Sequence, residues 1–265
     1  MRVGSLEIHP VRDGWARMPA GDLLRFTGDR GDPWLPHEQF IAPDGTIELS
    51  LGGFLVRTGD RVVIIDAGAG RIDNDHYHGG QFLESLAALA VTPDDVTDVV
   101  FTHLHFDHVG WATQQGTVVF PRATFRCHAA DWDHFVAGPE PEAGSVKKLS
   151  PLADRLELFR DDTPLAPGIT VRHAPGHTPG SAVIVVADDV ERALLLGDVV
   201  HCPVELMEND WEAVMDVDPA LARRTREALA KELEGSDVPA AAAHFPGLRF
   251  GRLLGGTGRR HWTFS

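Results

Sequence analysis

The sequence predicts an α+β domain, and three observations lead there. Short apolar segments with strand-like alternation come in groups, with helical periodicity between and after them. Residues 54–66 and 182–198 each read strand, charged turn, strand, then Asp, a faint internal echo without a close sequence repeat. No linker-like stretch divides the chain, so one domain over residues 1–265 is expected.

Composition narrows the partners. With 43% hydrophobic residues the chain can build a sizeable core, which excludes disorder. A net charge of −15 repels phosphate backbones and anionic membranes, so neither nucleic acid nor a membrane surface is an expected partner. No apolar run approaches the roughly 18 residues that span a bilayer. Residues 1–7 lack the apolar centre of a signal peptide, and a cytoplasmic protein is expected. The two cysteines, Cys127 and Cys202, cannot form a disulfide framework. Cys127 reads as a small buried hydrophobe, and Cys202 is a weak candidate for a thiolate ligand.

In chain order, residues 6–11 alternate as a first strand. Residues 13–45 are rich in Gly, Pro and Asp and carry Trp15, Trp34 and Phe40; they read as a long loop, either a lid over a site or a packed arm. Residues 47–57 and 62–65 form a hairpin through Thr58-Gly59-Asp60. Asp66 follows, expected to order its own turn rather than to join a site. A helix is predicted over 81–90 and a strand over 96–101. Another helix is expected over 129–135, with His128 and His134 as ordinary surface or packing residues. Strands are predicted at 156–159, 169–173, 182–186, 193–196 and 238–243, with a closing segment at 262–264. The helix 221–233 has Asp218 as its N-cap and Pro219 at its first position.

Chemistry concentrates at Thr102-His103-Leu104-His105-Phe106-Asp107-His108. Alternation puts His103 and His105 on one side of an extended segment, with Asp107 and His108 on the turn that leaves it. Such donors at one strand end suit a borderline divalent ion, most simply zinc. Three more apolar strands stop at a ligand-competent residue: His177 between Pro175-Gly176 and Pro179-Gly180, Asp198 after Gly197, and His244 before Phe245-Pro246. Seven donors are enough for two ions. His103, His105 and His177 suit one, Asp107, His108 and His244 a second, and Asp198 can bridge them.

The order His103-x-His105-x-Asp107-His108, Gly176-His177, Gly197-Asp198, His244 resembles the metallo-β-lactamase superfamily. The resemblance implies a four-layer αββα sandwich, the metal pair at one edge of its sheets and the ligand assignment above. Asp198 stands where thiolate-ligand zinc β-lactamases have Cys, and Gly110-Trp111 where glyoxalase II-like enzymes carry Gly-Gly. The motifs are most similar to the acyl-homoserine lactone lactonases and the methyl parathion hydrolase-like enzymes. The lactonases carry Tyr three positions after the Asp; here that position is His201.

The implied activity is hydrolysis of a small-molecule ester or lactone by hydroxide generated between two metal ions, zinc or else Fe, Mn or Co. The alternatives are a phosphotriester or thioester on the same site and, more distantly, a di-iron redox protein. Asp107 is the expected proton carrier and His201 the residue that orients substrate. Trp15, Trp34, Phe40, Trp111 and Leu206 are either apolar pocket walls or core. A monomer or homodimer is expected.

Overall fold

A computed structural model of the chain describes residues 1–256 and 258–265. Two mixed sheets stack face to face. The first runs Arg2–Val3, Leu6–Pro19, Thr46–Thr58, Arg61–Ile65, Asp98–Val100, Thr124–His128, Leu156–Phe159, with Tyr77–His78 added to Leu6–Pro19. The second runs Thr163–Ala166, Ile169–His173, Ala182–Ala187, Arg192–Leu195, Ala240–Ala241, Gly251–Gly256, Arg259–Phe264.

Strand alternation sorts the core into layers. Phe54, Val56, Val63, Ile65 and Val100 face Ile169, Val171, Ile184, Val186 and Leu195 between the sheets. Their neighbours Leu55, Ile64 and Val99 face outward, onto Phe82 and Leu86 of the helix Phe82–Ala88. Val183 and Leu194 face the other way, onto Leu229 and Leu233 of the helix Pro219–Leu233. A period of two on each strand therefore yields helix, sheet, sheet, helix, the αββα sandwich expected. The internal echo is topological. In each sheet an antiparallel pair (Thr46–Thr58 with Arg61–Ile65, Ala182–Ala187 with Arg192–Leu195) continues into a parallel neighbour.

The segment 13–45 differs from the loop expected. Leu6–Pro19 is one 14-residue strand, paired with Thr46–Thr58 along its length apart from a register shift between Arg12 and Gly14. Asp13 bulges there, which breaks the alternation that sequence reading relies on. Leu24–Phe26 then pairs with Trp211–Ala213. The strand expected over 238–243 shrinks to Ala240–Ala241. Strands Thr163–Ala166 and Gly251–Gly256 and the helix Ala143–Leu149 were not anticipated.

Candidate metal centre

Every proposed donor sits just past the end of a strand. His103 and His105 follow Asp98–Val100, and the short helix Phe106–Val109 carries Asp107 and His108. His177 lies on the turn after Ile169–His173, where Gly176 takes a φ of 137° and a Cβ would lie 2.3 Å from the Ala222 nitrogen. Only glycine lets that turn lie against the helix Pro219–Leu233. Asp198 is in the turn Gly197–Val199 after Arg192–Leu195, and His244 follows Ala240–Ala241.

The donor atoms converge as two groups: His103, His105, His177 and Asp198, and then Asp107, His108 and His244, each within 4.8 Å of one another. His105 Nδ1 lies 2.9 Å from His103 Nε2 and 3.1 Å from His177 Nε2. Asp198 stands between the groups. Its Oδ2 is 3.7 Å from His103 Nε2 and 3.0 Å from His244 Nε2, and its Oδ1 is 3.3 Å from His108 Nε2.

The outward ring nitrogens settle which atoms face in. His108 Nδ1 is 2.9 Å from Asp66 Oδ2, His177 Nδ1 is 3.2 Å from Asp216 Oδ1, and His244 Nδ1 is 2.9 Å from the Ser50 carbonyl. Each acceptor fixes an Nδ1–H and leaves the Nε2 lone pair pointing inward. His103 follows suit: Thr102 Oγ1 donates to Asp66 Oδ2, so it accepts from His103 Nδ1–H at 3.2 Å. Buried His108 Nε2 and Asp198 Oδ1 face each other with no hydrogen bond. Inward lone pairs and unpartnered buried atoms are costly unless a cation sits among them, so the residues fit a pair of divalent ions.

Charge divides the same way. Burial holds His103 well below the ordinary histidine range, with His108 adding to it; burial and His177 take His105 down to about 3; burial also lowers His177. A lowered value favours the neutral imidazole, the form a metal takes. Burial also opposes charge on His108 and His244, but Asp198 and its neighbouring carboxylates outweigh it and raise both. Asp198, despite burial, is held well below its usual value by His244, His108 and His103.

Compared with known proteins, residues 53–238 match the profile of the metallo-β-lactamase superfamily. The chain belongs to the metallo-β-lactamase superfamily. Among curated members, an N-acyl homoserine lactonase of Bacillus sp is 23% identical over 212 residues, 72% of this chain and 81% of that one. The N-acyl homoserine lactonase AiiA of Bacillus thuringiensis subsp. kurstaki is 22% identical over 213 residues with the same coverage. Solved structures share the fold. AidC, a dizinc quorum-quenching lactonase in complex with a product, superposes with TM-score 0.84 and 24% identity over 99% of this chain and 95% of its own. A probable metal-dependent hydrolase from Staphylococcus aureus gives TM-score 0.85 and 23% identity over 100% and 99%.

In this metallo-β-lactamase superfamily member His105, Asp107, His177, Asp198 and His244 open into a cavity of about 450 Å³. His201 lines it, its ring stacked on His244 at 5.9 Å and 9°, its Nε2 3.5 Å from Asp198 Oδ2. Opposed by burial, Asp198 and Glu205 raise His201 to about 9. Of the two roles expected for the aromatic and apolar candidates, none takes that of pocket wall. Trp15 points outward, against His78 with the rings tilted; Trp34 packs on Trp211; Phe40 joins that same cluster; Trp111 and Leu206 are core. Strand pairing explains Trp15, because Ala16 and Met18 take the inward positions. The walls are Met18, Leu23, Leu49, Phe106, Phe135 and Met215, with Tyr77 beside them. His134, expected as ordinary, also lines the cavity. Cys202 is outside both donor groups, its thiol buried and pushed up by that burial.

Asp66 was expected to bond its own turn; instead it binds Thr102 N at 2.7 Å and His108. Asp216 and Glu205 were not anticipated at all. Glu205 Oε2 accepts from the backbone of His201 at 2.6 Å and of Cys202 at 3.0 Å. Each is a carboxylate in a turn or short helix, which reads in sequence as solvated. A signal existed only for Asp66, which ends a strand as Asp198 nearly does.

Proposed function

We propose that this protein is a dinuclear metal-dependent hydrolase of a small, uncharged ester or lactone. The observation that carries the reading is Asp198 standing between two donor groups on the floor of an apolar cavity. The lactonases among its relatives support it. His103, His105 and His177 would hold one ion, Asp107, His108 and His244 the other, and Asp198 both. Zinc suits imidazole and carboxylate donors best, with Fe, Mn and Co on the same ligands. When bound, such ions acidify a water and polarise the acyl oxygen.

The chain's residues do the rest. Asp107, which lines the cavity, carries a proton to the leaving alkoxide oxygen. His201 Nε2–H orients the acyl oxygen. Met18, Leu49, Phe135 and Met215 take an apolar arm and exclude water. Asp22, Glu140 and Glu142 also line the cavity, and no Lys or Arg does among the described residues. That field repels anionic substrates. A reducing compartment suits the two buried free cysteines, and we assign the protein to the cytoplasm, as a monomer or homodimer.

Chelation should abolish hydrolysis of a neutral lactone or aryl ester, and zinc, manganese or cobalt should restore it. Turnover by a metal-free preparation would rule the reading out. In a panel with a phosphotriester and a carboxylate-bearing β-lactam, the neutral lactone and ester should be the best substrates and the β-lactam the poorest. A preference for the phosphotriester would move the assignment to that branch, and an iron-loaded preparation reducing oxygen would replace hydrolysis with redox chemistry.

A further inference from the structure

The helix Pro219–Leu233 buries Ala222, Arg226, Leu229, Ala230 and Leu233. An arginine 3% exposed does not belong in that stripe on packing grounds. Its Nη2 lies 2.8 Å from Asp216 Oδ2, and its Nη1 lies 3.5 Å from Asp216 Oδ1, 3.4 Å from Glu205 Oε1 and 3.5 Å from the Val199 carbonyl. Both carboxylate side chains are fully buried.

Each carboxylate has its other contact in the cavity wall. Asp216 Oδ1 faces His177 Nδ1 at 3.2 Å. Glu205 Oε2 holds the His201 and Cys202 amides and lies 3.6 Å from His201 Nδ1. The far nitrogens of both imidazoles approach Asp198 Oδ2, at 3.8 Å for His177 and 3.5 Å for His201. Asp198, His177, Asp216, Arg226, Glu205 and His201 thus form a closed ring of alternating acid and base. Five of its members line the cavity or touch a residue that does; Arg226 alone reaches it only through others.

A buried ion triad is weak evidence for stability, since apolar residues of similar volume usually serve a core as well. What the triad gives here is aim. Without Arg226 two buried carboxylates would repel each other and be free to turn, and the His177 ring and the His201 backbone turn that they hold would shift with them. We propose that Arg226 is a positioning residue that sets the ring of His177 for one metal ion and the His201 turn for substrate, through Asp216 and Glu205. This rests on the metal-hydrolase reading of the site.

The test titrates wild-type protein, Arg226→Gln, Arg226→Lys, Asp216→Asn and His177→Ala with zinc against a chromogenic chelator, alongside melting curves and kcat and KM on a neutral ester. Arg226→Gln should lose roughly 10–100-fold in affinity for the ion that His177→Ala also loses, as orienting groups behind a metal ligand typically do, with the other ion within about threefold. Its kcat should fall by a similar factor. Arg226→Lys should recover much of the melting temperature but not the affinity, because an ammonium cannot grip two carboxylates as a planar fork does. If Arg226→Gln does not fold, Asp216→Asn carries the test: it keeps an oxygen for His177 Nδ1–H, loses the pull of Arg226, and should weaken the same ion about tenfold. Variants that fold with both affinities and kcat within twofold of wild type would overturn the proposal, as would equal loss of both ions in step with melting temperature. Wild-type protein that binds no zinc would instead overturn the metal site itself.

Discussion

Asp13 satisfies more donors than any other side chain near the site. Fully buried at the bulge in Leu6–Pro19, it accepts from the amides of Ala69 at 2.8 Å, Gly70 at 2.9 Å, Gly80 at 2.9 Å and Phe82 at 2.9 Å, and from Trp111 Nε1 at 2.9 Å. It thereby fastens the loop after Asp66, the start of the helix Phe82–Ala88 and the segment after His108. Removing it strands several buried donors at once, each worth about 1–3 kcal/mol. Asp13→Ala should therefore lose about 4 kcal/mol or more in urea unfolding, and Asp13→Asn about half of that because one oxygen remains. A loss under about 1 kcal/mol in the alanine variant would mean that water replaces the carboxylate. Asp66 acts by direction more than by strength. Asp66→Ala frees His108 Nδ1 directly and His103 only through the Thr102 hydroxyl, so the ion held by Asp107, His108 and His244 should weaken the more, roughly 10–100-fold. A zinc titration with two resolved sites reads this directly, and equal weakening of both ions would refute it.

Three of the four parallel strands of the first sheet are joined by one carboxylate. Asp98 pairs with Arg61 on one neighbouring strand and Arg126 on the other, and Thr97 Oγ1 adds a bond at 2.6 Å. Burial pushes the Asp98 carboxyl up, but Arg61, Thr97 and Arg126 outweigh it and hold it below its ordinary value. A depressed carboxyl favours the folded state above its unfolded pKa and stops doing so as pH falls through the folded one. Asp98→Asn should cost about 2 kcal/mol at neutral pH, the scale of a hydrogen bond to a charged group. It should also flatten the decline in stability below about pH 4. An unchanged acid limb would show that other carboxylates govern it. Elements of this kind differ in how far they can be read from sequence. The hairpin after Ile47 and the helix after Asp218 are legible because unbroken periodicity coincides with turn and cap chemistry; Asp218 does accept from Leu221 N at 2.9 Å. The strand through residues 13–19 is not, because Asp13 shifts the period and Gly14 and Pro19 read as loop. The candidate metal donors are legible because four of the seven stand within six residues and the others end strands. Asp66, Glu205, Asp216 and Arg226 are not, because an isolated charge in a turn or helix looks solvated until the contacts of distant segments are known.

At the scale of the whole molecule, both sheets converge on the candidate metal centre. The first supplies His103, His105, Asp107 and His108, and the second His177, Asp198 and His244, while the apolar layer between them holds no donor. An ion shared by both sets is therefore a link between the two halves of the sandwich, made only when the sheets are stacked. A ligand confined to the folded state stabilises it by RT ln(1 + [L]/Kd), about 2.7 kcal/mol per site at one hundred times Kd. For a chain of this size that amounts to a rise in melting temperature of roughly 5–10 °C per ion. The surface complicates the measurement, because a net charge of −15 repels itself and any salt screens it. Zinc must therefore be compared with sodium chloride at matched ionic strength, and His103→Ala melted beside the wild type. Micromolar zinc should raise the wild-type melting temperature well beyond the salt control and raise that of His103→Ala by about half as much. An equal rise in sodium chloride would reduce the effect to screening, and an equal rise in His103→Ala would place the ion somewhere other than between the sheets.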